Sequence, residues 1–89
     1  MKYIREVDLA NCLRNAVLTI EELELISKPE FDYSENETIK VLNILDRALA
    51  SEQARKNDNH WTYSKAVHKA LVGAIEAENE ILSAAKIAA

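Results

Sequence analysis

Apolar residues recur at three- and four-residue steps through three stretches of this chain, and each stretch predicts a helix. In the first, Leu9, Leu13, Ala16, Ile20 and Leu23 step by 4, 3, 4 and 3. That is the heptad-like seam of a helix packed lengthwise on another, and it predicts one helix over about 5–27. Val7, Leu18 and Leu25 lie off this seam, more than a quarter-turn away at about 100° per residue. They form a second, narrower stripe. Either the helix lies between two others of the same chain, or the stripe is a surface for a second subunit or a partner.

In the second stretch, Thr38, Val41, Leu42, Leu45, Ala48 and Leu49 share one face over about 34–55. Ser34 and Glu37 have the spacing of a capping box. The serine oxygen can accept from the Glu37 amide, and the Glu37 carboxylate can reach back to the Ser34 amide. In the third, Val67, Leu71, Ala74, Ile75, Ile81, Leu82 and Ala85 trace an inner face over about 60–86, with Glu78 as its flaw. Gly73 sits mid-helix, where glycine costs about 1 kcal/mol against alanine. Close approach of another backbone is the expected reason.

The breaks are short. Pro29 closes the first helix, because the residue before a proline avoids the helical conformation. The connection Lys28–Tyr33 then predicts antiparallel neighbours. Phe31 and Tyr33 are expected to lid the end of the bundle; an exposed acidic–aromatic recognition loop is the alternative. Lys56-Asn57-Asp58-Asn59 breaks the second helix, and Asp58 or Asn59 is expected to cap the third. The predicted fold class is all-α in a single domain, an antiparallel three-helix bundle or a helical hairpin plus a third helix. Dimerisation is one way for so small a core to be completed.

Composition agrees. The 89 residues are 48% hydrophobic and 29% charged, with one Gly and one Pro. A sheet protein of this size needs more turn residues than that. The single cysteine, Cys12, forms no internal disulfide, as expected in a reducing cytoplasm. Arg5, Glu6 and Asp8 interrupt any leader-like apolar core near the N-terminus. No run has the length of a membrane span. The expected localisation is therefore cytoplasmic, with no membrane partner.

Charge is unevenly placed. The net charge is −4, yet residues 21–37 carry seven acids against Lys28, and residues 47–69 carry five bases against Glu52 and Asp58. Glu21, Glu22, Glu24, Glu30, Asp32 and Glu35 form a candidate acidic surface. Arg55, Lys56, His60, Trp61, Tyr63, Lys65 and Lys69 form a candidate basic–aromatic one. Such asymmetry bears on partners and association, not on fold.

Catalytic and metal chemistry find little support. His60 and His68 are eight residues apart, more than two helical turns, too far to share one ion on a single helix. Cys12 has no neighbouring histidine or second cysteine in sequence, and small buried cysteines are common. The single glycine rules out a glycine-rich phosphate loop. No cofactor, no metal and no enzymatic activity are expected. Arg, Trp and Tyr are the residue types enriched in interface hot spots, so the basic–aromatic surface points to a protein partner. Nucleic acid is the alternative, since bases stack on aromatic rings and phosphates take the cations. The acidic pI of about 5.1 counts against it. A tryptophan at a helix start also packs on its neighbours in many proteins, which is the purely structural reading of Trp61.

One resemblance bears on that alternative. Thr19-Ile20-Glu21-Glu22-Leu23-Glu24, Ser34-Glu35-Asn36-Glu37 and Asp46-Arg47 together resemble the middle of Hha-type modulators of bacterial nucleoid proteins, over roughly a third of the chain. The short aromatic C-terminal segment of that family is missing, and a long Ala-rich helix stands in its place. No functional residue carries over.

The expected function is that of a small adaptor, inhibitor or regulator, of the bacterial, plasmid or phage accessory kind, acting on a partner protein's surface. The alternatives are a nucleic-acid or nucleoid modulator, and a structural subunit of a helical assembly or homodimer.

Overall fold

The structure, a computed structural model, describes residues 2–88. Among the described residues the fold is an all-α bundle of four helices: α1 (Arg5–Cys12), α2 (Ile20–Ile26), α3 (Glu35–Asn57) and α4 (Lys65–Ala88). Buried or ionic contacts fix their directions. Arg5 joins Glu37 and Glu78 at one end, and Glu52 accepts from the Ser64 amide at the other, so α3 and α4 are antiparallel. Arg5 meets Glu78 while the Cys12 thiol donates to the Ala70 carbonyl, so α1 also opposes α4. Glu22 pairs with Arg47 and Lys28 with Glu37, so α2 opposes α3. The directions alternate along the chain. At about 1.5 Å per residue, α4 is about 36 Å long and accounts for most of the 43 Å long axis.

The expected single helix over 5–27 is two helices. It stops at Cys12, and the chain turns through 13–19 before α2 begins. The cause is a capping box at Thr19: its hydroxyl accepts from the Glu22 amide at 3.1 Å, and the Glu22 carboxylate accepts from the Thr19 amide at 2.9 Å. Two amides otherwise orphaned at a helix start are satisfied reciprocally. The break overturns the heptad seam. Leu9 and Leu13 are buried, but Ile20 and Leu23 face solvent, 76% and 48% exposed. Of the second stripe, Leu18 and Leu25 pack on the chain's own core, one of the two readings open to it, while Val7 is exposed. The three do not form one outward stripe.

The other two boundaries move less. The second predicted helix extends to Asn57, and the third begins at Lys65, five residues later than expected. Ser64, not Asp58 or Asn59, caps it, its hydroxyl accepting from the Val67 amide at 3.2 Å. Asn59 instead takes a left-handed turn conformation with φ 51°, which asparagine tolerates better than most residues.

The core joins Leu9, Cys12 and Leu13 of the first helix and its turn to Val41, Ile44, Leu45 and Ala48 of α3 and Val67, Leu71 and Ala74 of α4, with Phe31 closing one end. Into it reaches a fully buried ion cluster. Arg5, with no exposed surface, donates from Nε to Glu78 at 2.8 Å and from Nη2 to the other oxygen of the same carboxylate. It also donates from Nη1 to Glu37 at 3.2 Å and from Nη2 to Thr38 at 3.0 Å. Burial works against its charge, but the hydrogen bonds and charge of Glu78 outweigh that and hold the guanidinium above its ordinary pKa. Tyr3 donates to Glu78 at 2.6 Å; burial first, then that bond, raises the phenol far above its usual range. Glu78 is thus a built partner, not a flaw in the α4 face.

Phe31 and Tyr33 do lid this end, and what they cover is the charge. The Arg5 guanidinium carbon lies 5.4 Å and 4.3 Å from their ring centroids, a cation–π arrangement. The capping box expected at Ser34 is half formed. Ser34 accepts from the Glu37 amide at 3.2 Å, but the Glu37 carboxylate turns to Arg5, Lys28 and the Asp32 amide. Asp32 takes the vacant role, accepting from the Ser34 amide at 2.8 Å. Among the described residues, every buried side-chain polar atom has a partner.

Arg5→Leu leaves two carboxylates facing an apolar side chain. Breaking such a buried pair costs about 3–5 kcal/mol, read as a lower urea midpoint at unchanged slope; a loss under about 1 kcal/mol would show the cluster to be dispensable. Gly73 behaves oppositely. It is exposed, and a Cβ there meets nothing within 4 Å, so no backbone approaches it as expected. Gly73→Ala is expected to stabilise the fold by about 1 kcal/mol in the same measurement.

Candidate functional site

The turn between α3 and α4 positions the candidate basic–aromatic residues, and the structure divides them into two groups. Arg55 and Tyr63 face inward. Arg55 donates to the buried Glu52 at 2.6 Å and to the Asn15 carbonyl at 3.2 Å, clamping the α1–α2 turn to α3. Glu52 also accepts from the Ser64 amide at 3.3 Å, so this pair anchors both ends of the turn. The Tyr63 hydroxyl lies 3.1 Å from His68 Nδ1, with the rings edge-to-face at 5.9 Å.

The second group faces outward. Lys56, His60, Trp61, Lys65 and Lys69 are all exposed. Trp61 is 89% exposed, so it does not pack on the body of the domain as a structural anchor would. It is nevertheless held. Its ring stacks on His60 at 5.9 Å with 23° between planes. His60 Nδ1 accepts from the Thr62 amide at 3.2 Å and lies 2.7 Å from the Thr62 hydroxyl. Backbone bonds from Asn59 to Lys56 and from His60 to Arg55 tie the turn to the end of α3. An apolar ring is thus presented to water on an ordered turn. Lys56, Lys65 and Lys69 make no ion pair among the described residues, so their charge stays available.

The acidic candidates gather around α2 and the α2–α3 connection. Glu22 is neutralised, with both its oxygens accepting from Arg47 Nη2 at 2.6–2.7 Å. The Thr19 amide and then Arg47 hold its carboxyl below the ordinary range. Asp32 is lowered by its bonds to Ser34. Glu21, Glu24, Glu30 and Glu35 make no ion pair among the described residues. Between α2 and α3 lies an open groove of about 530 Å³, with Leu25 and Ile44 inside and Glu21, Glu24, Lys28 and Lys40 among its lining. Ile20 and Leu23 of α2 and Val17 just before it expose apolar surface, and Val17 borders a second groove with Arg47 and Arg55. From the sequence, Val17 is not singled out, and Ile20 and Leu23 fall on a packed seam instead of a surface. The signal was present in Thr19-x-x-Glu22, the box that restarts the helix and turns its former seam outward.

Among the described residues, no three His, Cys, Asp or Glu side chains converge where a metal ion could be held. Cys12 is buried, and burial first, then the nearby Asp8 charge, pushes its thiol up to about 11. No helix is long and apolar enough to cross a membrane among the residues described. The chain matches no protein-family model, no curated protein and no solved structure, so its surfaces are read from their own geometry.

Trp61 is the only tryptophan, which makes its exposure directly measurable. Its fluorescence is expected to match free tryptophan in emission maximum and in acrylamide quenching. A blue-shifted, protected emission from the dilute protein would contradict the exposed turn.

Proposed function

We propose that this chain is a small non-enzymatic interaction module that occupies the surface of a partner protein, with the α3–α4 turn as its contact. The observation that carries the reading is Trp61, almost fully exposed on a hydrogen-bonded turn and flanked by uncompensated lysines. Leaving an indole in water forfeits the burial of a large apolar surface. Ordering it in advance lowers the entropy lost on docking. Tryptophan is also among the residues that dominate interface energies. The complementary partner surface is an apolar cleft with acidic edges.

Nucleic acid is the second reading, favoured by the stacked His60–Trp61 pair, which has the form of a base-stacking platform. Against it stands the limited charge of the turn. Arg55 is engaged inward, leaving Lys56, Lys65 and Lys69 as its outward cations. Three phosphate contacts give a weak electrostatic grip with a shallow salt slope.

The test is affinity capture from the native host's lysate with wild-type and Trp61→Ala bait, with and without nuclease. A stoichiometric protein that survives nuclease and is lost by Trp61→Ala, at unchanged circular dichroism, is the expected result. With that partner purified, the substitution should weaken binding by roughly thirtyfold or more. A partner set that vanishes with nuclease would move the assignment to nucleic acid. Capture indifferent to Trp61 would remove the turn as the contact.

A further inference from the structure

The acidic and basic halves of the chain remain electrically distinct after folding. The internal ion pairs use Glu22, Glu37, Glu52 and Glu78 against Arg47, Arg5, Lys28 and Arg55. They leave Glu21 and Glu24 on α2, and Lys56, Lys65 and Lys69 around the α3–α4 turn, without ion pairs in the described chain, with Asp58 the one exposed carboxylate among those lysines. Each uncompensated cluster also borders exposed apolar surface. Beside the acids lie Val17, Ile20 and Leu23, 89%, 76% and 48% exposed, together with the groove over Leu25 and Ile44. Beside the lysines lies Trp61.

The two surfaces therefore match in both properties that decide docking. One is an apolar strip with a carboxylate row along it; the other is a single large ring between ammonium groups. Opposite charge steers the encounter, and the ring supplies the buried area. One molecule does not join its own pair: Trp61, Val17 and Ile20 are 89%, 89% and 76% exposed in the folded chain.

We infer that a second copy of this chain is the occupant of the α2 surface: the Trp61 turn of one molecule docks on Val17, Ile20 and Leu23 of the next, with Lys56 and Lys65 set against Glu21 and Glu24. Lys40 marks the α3 edge of the groove, so the turn approaches from the α2 side. The joined surfaces are different, so the contact is head-to-tail. Each added molecule presents a fresh turn and a fresh α2 face, and assembly continues unless a ring closes. This inference rests on the proposed role of Trp61 as a contact residue and names a partner for it.

The test is sedimentation of the purified full chain, alone, across a concentration series into the high micromolar range. At about 50 mM salt the mass should rise with concentration above the 10.0 kDa protomer, and at about 500 mM salt it should fall back, because screening shortens with added salt. Trp61 emission should shift to the blue as the mass rises. Glu21→Lys/Glu24→Lys should stay monomeric, since both surfaces are then basic. Lys56→Glu/Lys65→Glu should stay monomeric, since both are then acidic. An equimolar mixture of the two should associate again, because each junction then brings opposite charges together. The rescue excludes misfolding as the reason for either monomer.

A wild-type chain monomeric throughout overturns the inference, as does association that neither charge reversal nor Trp61→Ala disturbs. A monomeric chain whose host partner is still lost on Trp61→Ala overturns self-docking alone and leaves the turn as a contact for another protein.

Discussion

A buried guanidinium is the constraint on which the architecture turns. Arg5 sits in the first turn of α1, yet its partners come from α3 and α4, and two rings of the α2–α3 connection cover it. An unpaired charge in such a place is prohibitive, so every element that touches it is held in register by the need to satisfy it. The cluster supplies Glu78 and Tyr3 on one side and Glu37, Thr38 and Lys28 on the other. A wrong helix register or a swapped neighbour would strand a carboxylate or the guanidinium. Geometric uniqueness is what such a cluster contributes to a bundle whose apolar core is small.

A second clasp works at the opposite end. Glu52 and Arg55 join the end of α3, the start of α4 and the α1–α2 turn. Between the two clasps, Leu9, Val41, Leu45 and Leu71 fill the interior. The charges near the core are thereby committed to architecture, and those left over define the surfaces. Arg55 shows the distinction: one helical turn from the exposed Trp61 loop, it holds the scaffold while Lys56 beside it faces water.

The α2 segment links the fold to the proposed self-docking surface. It is short, buries none of its residues fully, and is held by a capping box, the Arg47–Glu22 pair and the packing of Leu18, Leu25 and Ile26. Because those three face inward, Ile20 and Leu23 face outward. The apolar residues on its outer side are a consequence of the break at 13–19, and they give the acidic half of the molecule a surface able to bury a ring.

Much of this was legible in the residues themselves. Helical periodicity, the scarcity of Gly and Pro, the stops at Pro29 and Asn57–Asn59, and the division of charge all act locally, so the all-α class, the two long helices and the uneven spread of charge follow from sequence. Tertiary structure decided the rest. A heptad-spaced seam from Leu9 to Leu23 is compatible with one helix or two, and the choice lay with the Thr19–Glu22 box and with what the core could accept on either side of it. Arg5, Glu37 and Glu78 are distant in sequence, where they read as a break in an apolar run, a capping residue and a flaw in an inner face; only folding brings them together, where one guanidinium meets two carboxylates out of water. Whether Trp61 packs or projects was likewise undetermined by its neighbours in sequence, because burial depends on what lies opposite a side chain in space, and against Trp61 the described residues set its neighbour His60 and leave the ring 89% exposed.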